Sequence, residues 1–477
     1  MGKYKYLIKN IGLLTLSNFG TKLLTFFLVP LYTSVLSTSE YGTFDIIYTT
    51  ISLLIPILSV SIVEATLRFS LDKNSDKQEI FSISLKVVVR SIAVFAVGIA
   101  LNYFLNIFSF INDYIAYFCI YYVIMLLQQL LQAFARGIDR VFDVAVAGVI
   151  NSVVMISLNI IFLLYLHLGL PGYFLAYIIG LFITCIYFII RLKIWKYIRF
   201  KNLRKSKETE MLTYSKPLVI NSISWWINNA SDRYVVTWIC GIAANGIYSV
   251  GYKIPSILSV LQTIFNTAWQ LTTVKAYNKD DSDGFFKNIY NTYNLVMVFG
   301  CSAMIVLTRF LARFLYAKDF YEAWRYVPFL MIAIVFGALI GVFSGVFQAV
   351  KDSKTQGKIT VIGALTNLFL NIVLTICIGP LGAAIATAIC YFLMWILNLH
   401  YIKQYISIQI NLTRDYISYF MLVLQTILML CFSDSIQLYV VQVILCGLIL
   451  LLYFKEVKIL VKRLLSLFSK RPGNSEV

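Results

Sequence analysis

The sequence predicts an all-α, polytopic membrane protein with about fourteen transmembrane helices, and hydropathy and charge distribution are the main evidence. The 477 residues are 60% apolar, with a mean hydropathy of +0.81, which exceeds what a soluble domain carries. Apolar stretches of roughly 20 residues recur along the chain, and a helix of that length crosses a bilayer core about 30 Å thick. Charged residues make up only 13% of the chain and cluster between these stretches.

The apolar stretches define the expected spans in order. They are 10–35, 43–67, 80–107, 113–135, 142–166, 172–190, 217–240, 246–274, 289–316, 326–349, 358–378, 382–402, 415–432 and 436–454. The first stretch follows a basic N-terminus and continues without a small-residue cleavage site. We therefore expect it to be a span and not a removable signal peptide.

Basic residues mark alternate loops and so predict the orientation of the chain. The loops without any Lys or Arg are 36–42, 108–112, 167–171, 241–245, 379–381 and 433–435. The intervening loops are basic, and the segment 191–216 alone holds nine basic residues. The exception is an outer loop flanked by Lys318 and Arg325. Since basic loops stay in the cytoplasm, we expect an even number of spans with both termini cytoplasmic.

An internal repeat at an offset of about 205–215 residues predicts two parallel lobes. Gly42 and Gly246 each follow a short outer turn and precede an aromatic residue by two positions. Two further pairs of segments match in the same order: 132–139 with 346–352, and 169–172 with 379–382. The expected domains are an N-terminal six-helix lobe (1–195), a basic cytoplasmic linker (196–216), a C-terminal six-helix lobe (217–405), and two extra C-terminal helices with a basic tail (406–477).

Polar and charged residues inside the spans predict a hydrated cavity, because charge in the bilayer core is costly. Many of them recur every three or four residues and so share a helix face. The cations are Lys22, Arg68, Arg90, Arg233 and Lys253; the acids are Asp45, Glu64 and Asp232; the neutral polar residues are Asn18, Asn228, Asn229, Ser256 and Asn266. Structural readings stay open: Arg68 could snorkel beside Glu64, Asp232–Arg233 could be a local ion pair, and the amides and hydroxyls could bind helices together.

Several function classes are disfavoured by the composition. The net charge of +18 is explained by basic loops against anionic lipid headgroups, so no nucleic-acid partner is expected. The eight Cys show no CxxC spacing and only two His occur, so no metal site or disulfide is expected. The chain lacks a Walker A motif, a large outer loop and an acidic nucleotide-sugar motif. We therefore do not expect an enzyme such as a polymerase or glycosyltransferase.

Three motifs resemble those of the polysaccharide-flippase (Wzx-like) branch of the MOP exporter superfamily. They are Asn18…Lys22…Pro30-Leu-Tyr32 with Leu36-Ser-x-x-Glu40-Tyr-Gly42, Asn229-x-x-Asp232-Arg233-Tyr234, and Gly246-x-Tyr248-Ser-Val250-x-Tyr252-Lys253. The resemblance covers spans one to twelve. It implies alternating access of two lobes that moves an undecaprenyl-pyrophosphate-linked oligosaccharide to the outer leaflet, for O-antigen, capsule or similar surface polysaccharide.

The resemblance also implies roles and partners. Central-cavity cations would handle the anionic substrate, and the matching candidates here are Lys22, Arg233 and Lys253, with Arg68 and Arg90. We expect no cofactor, coupling to Na⁺ or H⁺ with Asp232 and Glu64 as candidates, and a bacterial plasma (inner) membrane location. The partners would be membrane lipids and polysaccharide polymerase or assembly proteins. The alternative is a cation-coupled multidrug exporter of the same superfamily, which the Lys and Arg within the spans disfavour.

Overall fold

The computed structural model describes residues 26–72, 74–106, 112–199, 201, 203–276, 281 and 284–458. Helices dominate this part of the chain, and no β-strand occurs in it. The α-helices are α1 Val29–Val35, α2 Thr38–Leu58, α3 Ile62–Ser70, α4 Lys77–Leu105, α5 Ile115–Gly137, α6 Val141–Ile160, α7 Gly169–Leu192, α8 Lys205–Cys240, α9 Ile242–Gly251, α10 Pro255–Ala276, α11 Phe285–Leu315, α12 Val327–Ala349, α13 Ser353–Ile378, α14 Pro380–Ile402, α15 Leu412–Cys431 and α16 Ile436–Leu452. The predicted all-α class is confirmed.

Ten helical segments among the described residues are long and apolar enough to cross a membrane, so the chain is a multi-pass membrane protein. They are α2, α4, α5, α6 with its π-helical continuation Ile161–Tyr165, α7, and α11 to α15. The other four expected spans differ in identifiable ways. The first lies mostly outside the described residues, the seventh is the more polar α8, the eighth is split into α9 and α10, and the fourteenth is the 17-residue α16.

Two expected spans are interrupted, and local backbone chemistry explains both interruptions. The expected span 43–67 breaks between α2 and α3, where Val60 and Ser61 have φ of 53° and 50°. This left-handed backbone ends the helix, and Pro56 in the last turn of α2 lacks the N–H that would bond to the carbonyl four residues earlier. The expected span 246–274 breaks ahead of Pro255, which begins α10. A proline disfavours helical backbone in the residue before it and suits the first turn of a new helix.

The described chain forms two compact units. The first contains the residues up to Lys253 with Phe314–Glu322 and Thr375–Pro380, and the second contains Ile254–Arg313, Ala323–Leu374 and the residues from Leu381. The first unit therefore extends past the expected lobe boundary at 195 and includes α8 and α9. The reason is packing, because α9 lies along α2 and α8 contacts both α2 and α3.

The basic segment 196–216, which was expected as a cytoplasmic linker, forms hydrogen bonds and an ion pair with the start of α4. The backbone N–H and Nε of Arg204 donate to Oε1 of Glu79 at 2.9 Å and 3.0 Å. The Glu79 side chain is almost fully buried, so its charge needs this partner. Ser82 adds two hydrogen bonds, donating to the carbonyl of Tyr197 at 3.1 Å and accepting from the N–H of Arg199 at 2.8 Å.

Two glycines allow α2 and α9 to cross in backbone contact. A Cβ atom at Gly42 would lie 2.1 Å from the carbonyl oxygen of Ile242, and one at Gly246 would lie 1.9 Å from that of Thr38. The contact is symmetric: Asp45 and Ser249, which are 204 residues apart, are hydrogen-bonded, and the two glycines share this separation. The segments that the sequence repeat matched thus face each other at equivalent positions.

This crossing predicts a stability effect for Gly42→Ala. The added methyl collides with backbone that cannot rotate away, and overpacking of this kind costs about 1–3 kcal/mol. We expect a lower apparent melting temperature for the detergent-purified protein than for the wild type.

Gly98→Ala is the matched control, because no heavy atom lies within 4 Å of a Cβ at that helical glycine. Equal melting temperatures for the wild type and the Gly42 variant would show that the two helices are not packed this closely.

Candidate functional site

One face of α2 supplies the first wall of the candidate site. The helix begins in a capping box: Ser37 Oγ accepts from the N–H of Glu40 at 3.2 Å, and Glu40 Oε2 accepts from the N–H of Ser37 at 2.8 Å. This cap fixes where α2 starts and therefore which side chains share a face. Tyr41, Asp45 and Tyr48 recur every three or four residues and line a common cavity.

The two cations of the site come from α8 and from the end of α9. Arg233 lies on the last third of α8, and Lys253 follows α9 by two residues. The chain turns between these helices at Gly241, whose φ of 90° is a conformation that glycine alone adopts without strain. Because of this turn, residues 20 positions apart in the sequence reach the same cavity.

Arg233 is paired with Asp45 across α8 and α2. The Nη1 atom of Arg233 donates to Oδ1 of Asp45 at 3.3 Å and to Oγ1 of Thr49 at 3.1 Å. Ser249 Oγ donates to the other carboxylate oxygen of Asp45 at 2.6 Å. The exposed fractions of the Arg233 and Asp45 side chains are only 18% and 10%. The charges therefore compensate each other inside a water-poor part of the bundle, where an unpaired charge would be costly.

Asp232 lies behind the cavity wall and organises the tyrosines beside Arg233. Its Oδ2 accepts a hydrogen bond from Tyr248 at 2.7 Å and another from Tyr252. Its Oδ1 accepts the backbone N–H of Arg233 at 3.0 Å, so Asp232 does not take the guanidinium as its partner; Asp45 does.

Aromatic rings lie near both cations. The guanidinium carbon of Arg233 is 5.3 Å from the ring centroid of Tyr252, whose hydroxyl Asp232 holds. Lys253 Nζ is 5.9 Å from the ring centroids of both Tyr32 and Tyr41. These are cation–π distances, so the rings stabilise the two cations.

The cavity has a volume of about 360 Å³ and lies wholly within the first unit. Its lining is largely polar or aromatic: Tyr41, Phe44, Asp45, Tyr48, Tyr121, Met125, Gln128, Gln129, Asn151, Ser152, Met155, Tyr177, Leu181, Arg233, Ser249, Tyr252 and Lys253. Among the described lining residues, Arg233 and Lys253 face one carboxylate, that of Asp45, so the cations outnumber the acids. The arrangement is suited to an anionic group that also carries hydroxyls.

The structure brings together Arg233 and Lys253 from the predicted cations. Lys22 and Asn18 fall outside the described residues. Arg68 is exposed at the end of α3 and pairs with Asp72 at 3.0 Å, and Arg90 pairs with Glu208 at 2.5 Å. Neither Arg68 nor Arg90 lines the cavity, and the partner of each lies outside it.

Of the neutral polar residues predicted for the cavity, the four that the structure describes do not line it. Asn228 and Asn229 donate to carbonyls one turn earlier on α8, at 3.0 Å and 2.7 Å. Ser256 and Asn266 belong to the second unit, and Asn266 packs on Gly341 of α12. Glu64, proposed from sequence for ion coupling, is exposed on α3.

The amides and several aromatics of the cavity were missed by sequence reasoning. Tyr121, Met125, Gln128 and Gln129 lie on one face of α5, and Asn151 and Met155 lie on one face of α6. The signal was present as i, i+4 and i+7 spacing in apolar spans.

No group of three His, Cys, Asp or Glu residues that could hold a metal ion occurs among the described residues. Among the described lining residues of the cavity, Asp45 is the one carboxylate.

Comparison with known proteins places these features in a family context. The sequence model of a family described as "Polysaccharide biosynthesis protein" matches residues 7–270, and the MatE model matches residues 217–373. A relative from Haloferax volcanii, described as "Probable low-salt glycan biosynthesis flippase Agl15", is 22% identical over 220 residues, which are 45% of this chain and 45% of that protein. The chain spans about half the length of the curated relatives it matches.

Solved structures share the fold. The inward closed conformation of the lipid II flippase MurJ has a TM-score of 0.70 and 15% identity, covering 94% of this chain and 99% of that one. An inward-facing multidrug resistance MATE family transporter of the MOP superfamily has a TM-score of 0.63 and 13% identity, covering 80% of this chain and 95% of that one. At such identities the likeness shows the fold and leaves the substrate open.

The Arg233–Asp45 pair predicts strong coupling in a double-mutant cycle. Asp45→Asn leaves a buried cation without its counter-charge, and breaking a buried pair costs about 3–5 kcal/mol. Adding Arg233→Gln should recover part of that loss, so the double variant should be more stable than the sum of the single effects. Thermal unfolding of the four purified proteins measures the coupling.

Asp72→Asn and Arg68→Gln form the matched control cycle, because those side chains are 55% and 54% exposed. An exposed pair contributes about 0–1 kcal/mol. If the Asp45 cycle showed no more coupling than this control, the ion pair would not be a stabilising contact.

Proposed function

Because this chain belongs to the polysaccharide biosynthesis protein family, we propose that it is a flippase for lipid-linked oligosaccharides. It moves undecaprenyl-pyrophosphate-linked repeat units from the cytoplasmic to the outer leaflet for cell-surface polysaccharide synthesis, such as O-antigen or capsule. The observation that carries this proposal is the cavity of the first unit, in which Arg233 and Lys253 face a common volume.

The two cations suit a pyrophosphate group. Arg233 offers a planar fork of donors that matches phosphate oxygens, and Lys253 adds a compact charge whose donors can rotate toward them. Asp45 holds Arg233 in the absence of substrate, through the contact described above. An arriving pyrophosphate competes with Asp45 for the guanidinium, so substrate binding alters the contact between α2 and α8.

In this proposal, alternating access depends on the contact between α2 and α8. The turns before α2 and α9 carry no basic residues and are therefore placed on the outer side by the positive-inside rule. The crossing at Gly42 and Gly246 then closes the outer end of the first unit. Release of the substrate outward requires α2 and α9 to separate there, and a weaker link between α2 and α8 favours that separation.

The remaining assignments rest on the same proposal. We place the protein in a bacterial plasma (inner) membrane with both termini cytoplasmic, since its basic loops alternate with neutral ones. Its partners are membrane lipids and the polysaccharide polymerase or assembly proteins that take the flipped substrate. It translocates its substrate without changing it chemically.

A cation-coupled multidrug exporter is the second candidate, and the fold shared with the MATE transporter favours it. Cationic drugs need acidic or apolar pockets, whereas this cavity has two cations against one carboxylate that is already paired. The charge balance of the cavity therefore supports the flippase over the exporter.

Charge removal at the cavity tests the proposal. In vesicles reconstituted with the protein and a fluorescent polyprenyl-pyrophosphate-linked glycan, Arg233→Gln and Lys253→Gln should abolish translocation, because each removes one of the two cations in the described part of the cavity lining. Lys22→Ala should do the same. Arg233→Lys and Lys253→Arg should be better tolerated, since they keep the charge.

Arg313→Gln is the control for loss of a single positive charge, because that side chain is 63% exposed and pairs with Asp434. It should translocate like the wild type. Full activity in Lys22→Ala plus Arg233→Ala would refute the cationic cavity.

Energy coupling to Na⁺ or H⁺ is the other part of the proposal, with Asp232 and Glu64 as the candidate residues. Asp232 is buried between two tyrosine hydroxyls, where a change of its charge would shift Tyr252 and so Arg233. Translocation should slow when the gradient of the coupling ion, Na⁺ or H⁺, across the vesicle membrane is dissipated. Transport that persists without both gradients would exclude coupling.

A further inference from the structure

The cavity has a second polar wall that the cations do not explain. Gln128 and Gln129 on α5 and Asn151 on α6 line the same volume as Arg233 and Lys253. All three side chains are half-buried. Within the described ranges, none of the three amides has a hydrogen-bond partner in the protein. A side-chain amide carries two N–H donors and one carbonyl acceptor.

Amide side chains without a hydrogen-bond partner in the protein are unusual inside transmembrane helices. The helices that carry them are transmembrane, where polar side chains usually bond to the protein to avoid desolvation. Asn228 and Asn229 on α8 show that pattern, since each donates to a carbonyl one turn earlier. Gln128, Gln129 and Asn151 do not. All three line the cavity, and the Asn151 Oδ1 atom lies beside Gly180 of α7, so the Gln128 and Gln129 amides and the Asn151 NH₂ group stay available to a ligand.

An aromatic platform adjoins the amides. Tyr48 and Tyr121 lie with ring centroids 6.2 Å apart, and both line the cavity. Tyr48 is 37% exposed although it belongs to a packed helix face. An exposed ring beside amide groups combines an apolar surface with hydrogen-bonding groups, and sugars present both kinds of surface: C–H faces and hydroxyls.

We propose that the wall formed by Gln128, Gln129, Asn151 and Tyr48 is a carbohydrate subsite for the sugar attached to the pyrophosphate. This inference rests on the proposed function and deepens it, because it names which part of the substrate each wall recognises. Arg233 and Lys253 bind the pyrophosphate, and the amides bind hydroxyl or acetamido groups of the adjoining sugar. The lipid tail, which has no polar atoms, gains nothing from the amides.

The volume of the cavity sets the size of what this subsite holds. Pockets for small ligands measure about 300–1,000 Å³, and this cavity, at about 360 Å³, lies near the lower end. The subsite therefore binds the first sugar next to the phosphates and is too small for a whole repeat unit. A flippase of this design would discriminate by the first sugar and tolerate variation farther along the glycan.

Binding measurements with two soluble probes test the subsite. The probes are geranyl diphosphate and geranyl diphosphate carrying one N-acetylhexosamine on its terminal phosphate. Isothermal titration of the full-length, detergent-purified protein should show at least tenfold tighter binding of the glycosylated probe. Replacing Gln128, Gln129 or Asn151 with Leu should each weaken that probe about tenfold, the effect of losing about one good hydrogen bond.

Binding of the unglycosylated probe depends on the cations alone, so it tests the proposed function separately from the sugar subsite. It also shows that each variant is folded. The Leu variants should bind it like the wild type, whereas Arg233→Gln should weaken both probes. Gln404→Leu, at an exposed glutamine in the loop after α14, should change neither.

Two results would overturn the inference or its basis in distinct ways. If the triple Leu variant kept the full preference for the glycosylated probe, the carbohydrate subsite would be wrong while the flippase proposal stood. If Arg233→Gln left the affinity for both probes unchanged, the cationic cavity itself would be refuted, and the proposed function with it.

Discussion

A buried charge inside a transmembrane bundle must have a partner, and the structure of the first unit follows from how Arg233 meets that requirement. Its guanidinium reaches Asp45 on α2, so α8 and α2 have to lie side by side. Ser249 holds the second oxygen of Asp45, which brings in α9. The close crossing of α2 and α9 is possible only because Gly42 and Gly246 have no side chains. One ion pair thus fixes the arrangement of three helices.

The same contacts connect structure and function. A permanent neutral pair would only stabilise the bundle, whereas here Lys253 adds a second positive charge to the lining of the cavity. Asp45 and Thr49 accept hydrogen bonds from the Nη1 atom of Arg233, and the Tyr252 ring lies 5.3 Å from its guanidinium carbon. The cavity remains attractive to an anion because, among its described lining residues, one carboxylate opposes two cations. Under the proposed function, a ligand with both phosphate and sugar groups uses the cationic wall and the amide wall together, which neither a simple anion nor a cationic drug would do.

Hydropathy and charge patterning predicted the membrane class, most of the spans and the two cations that meet in the cavity. These predictions succeeded because burial in lipid constrains every residue of a span, so that apolar stretches recur along the chain with basic loops between them. The interruptions after Pro56 and before Pro255 were missed because a broken helix keeps the hydropathy of a continuous one. The partner of Arg90 was also beyond prediction, since Glu208 lies 118 residues away, and spacing rules reach only one or two helical turns. Asp45 was noted on a polar face, yet its pairing with Arg233 depends on which helices pack together.

The most direct measurement of the central claim is an electron cryo-microscopy structure of the protein with a polyprenyl-pyrophosphate-linked glycan bound. The account predicts that the phosphates lie within ion-pair distance of Arg233 and Lys253 and that the first sugar contacts Gln128, Gln129 or Asn151. Phosphate density elsewhere in the protein, with Arg233 still engaged by Asp45 and Lys253 still between its tyrosine rings, would contradict it.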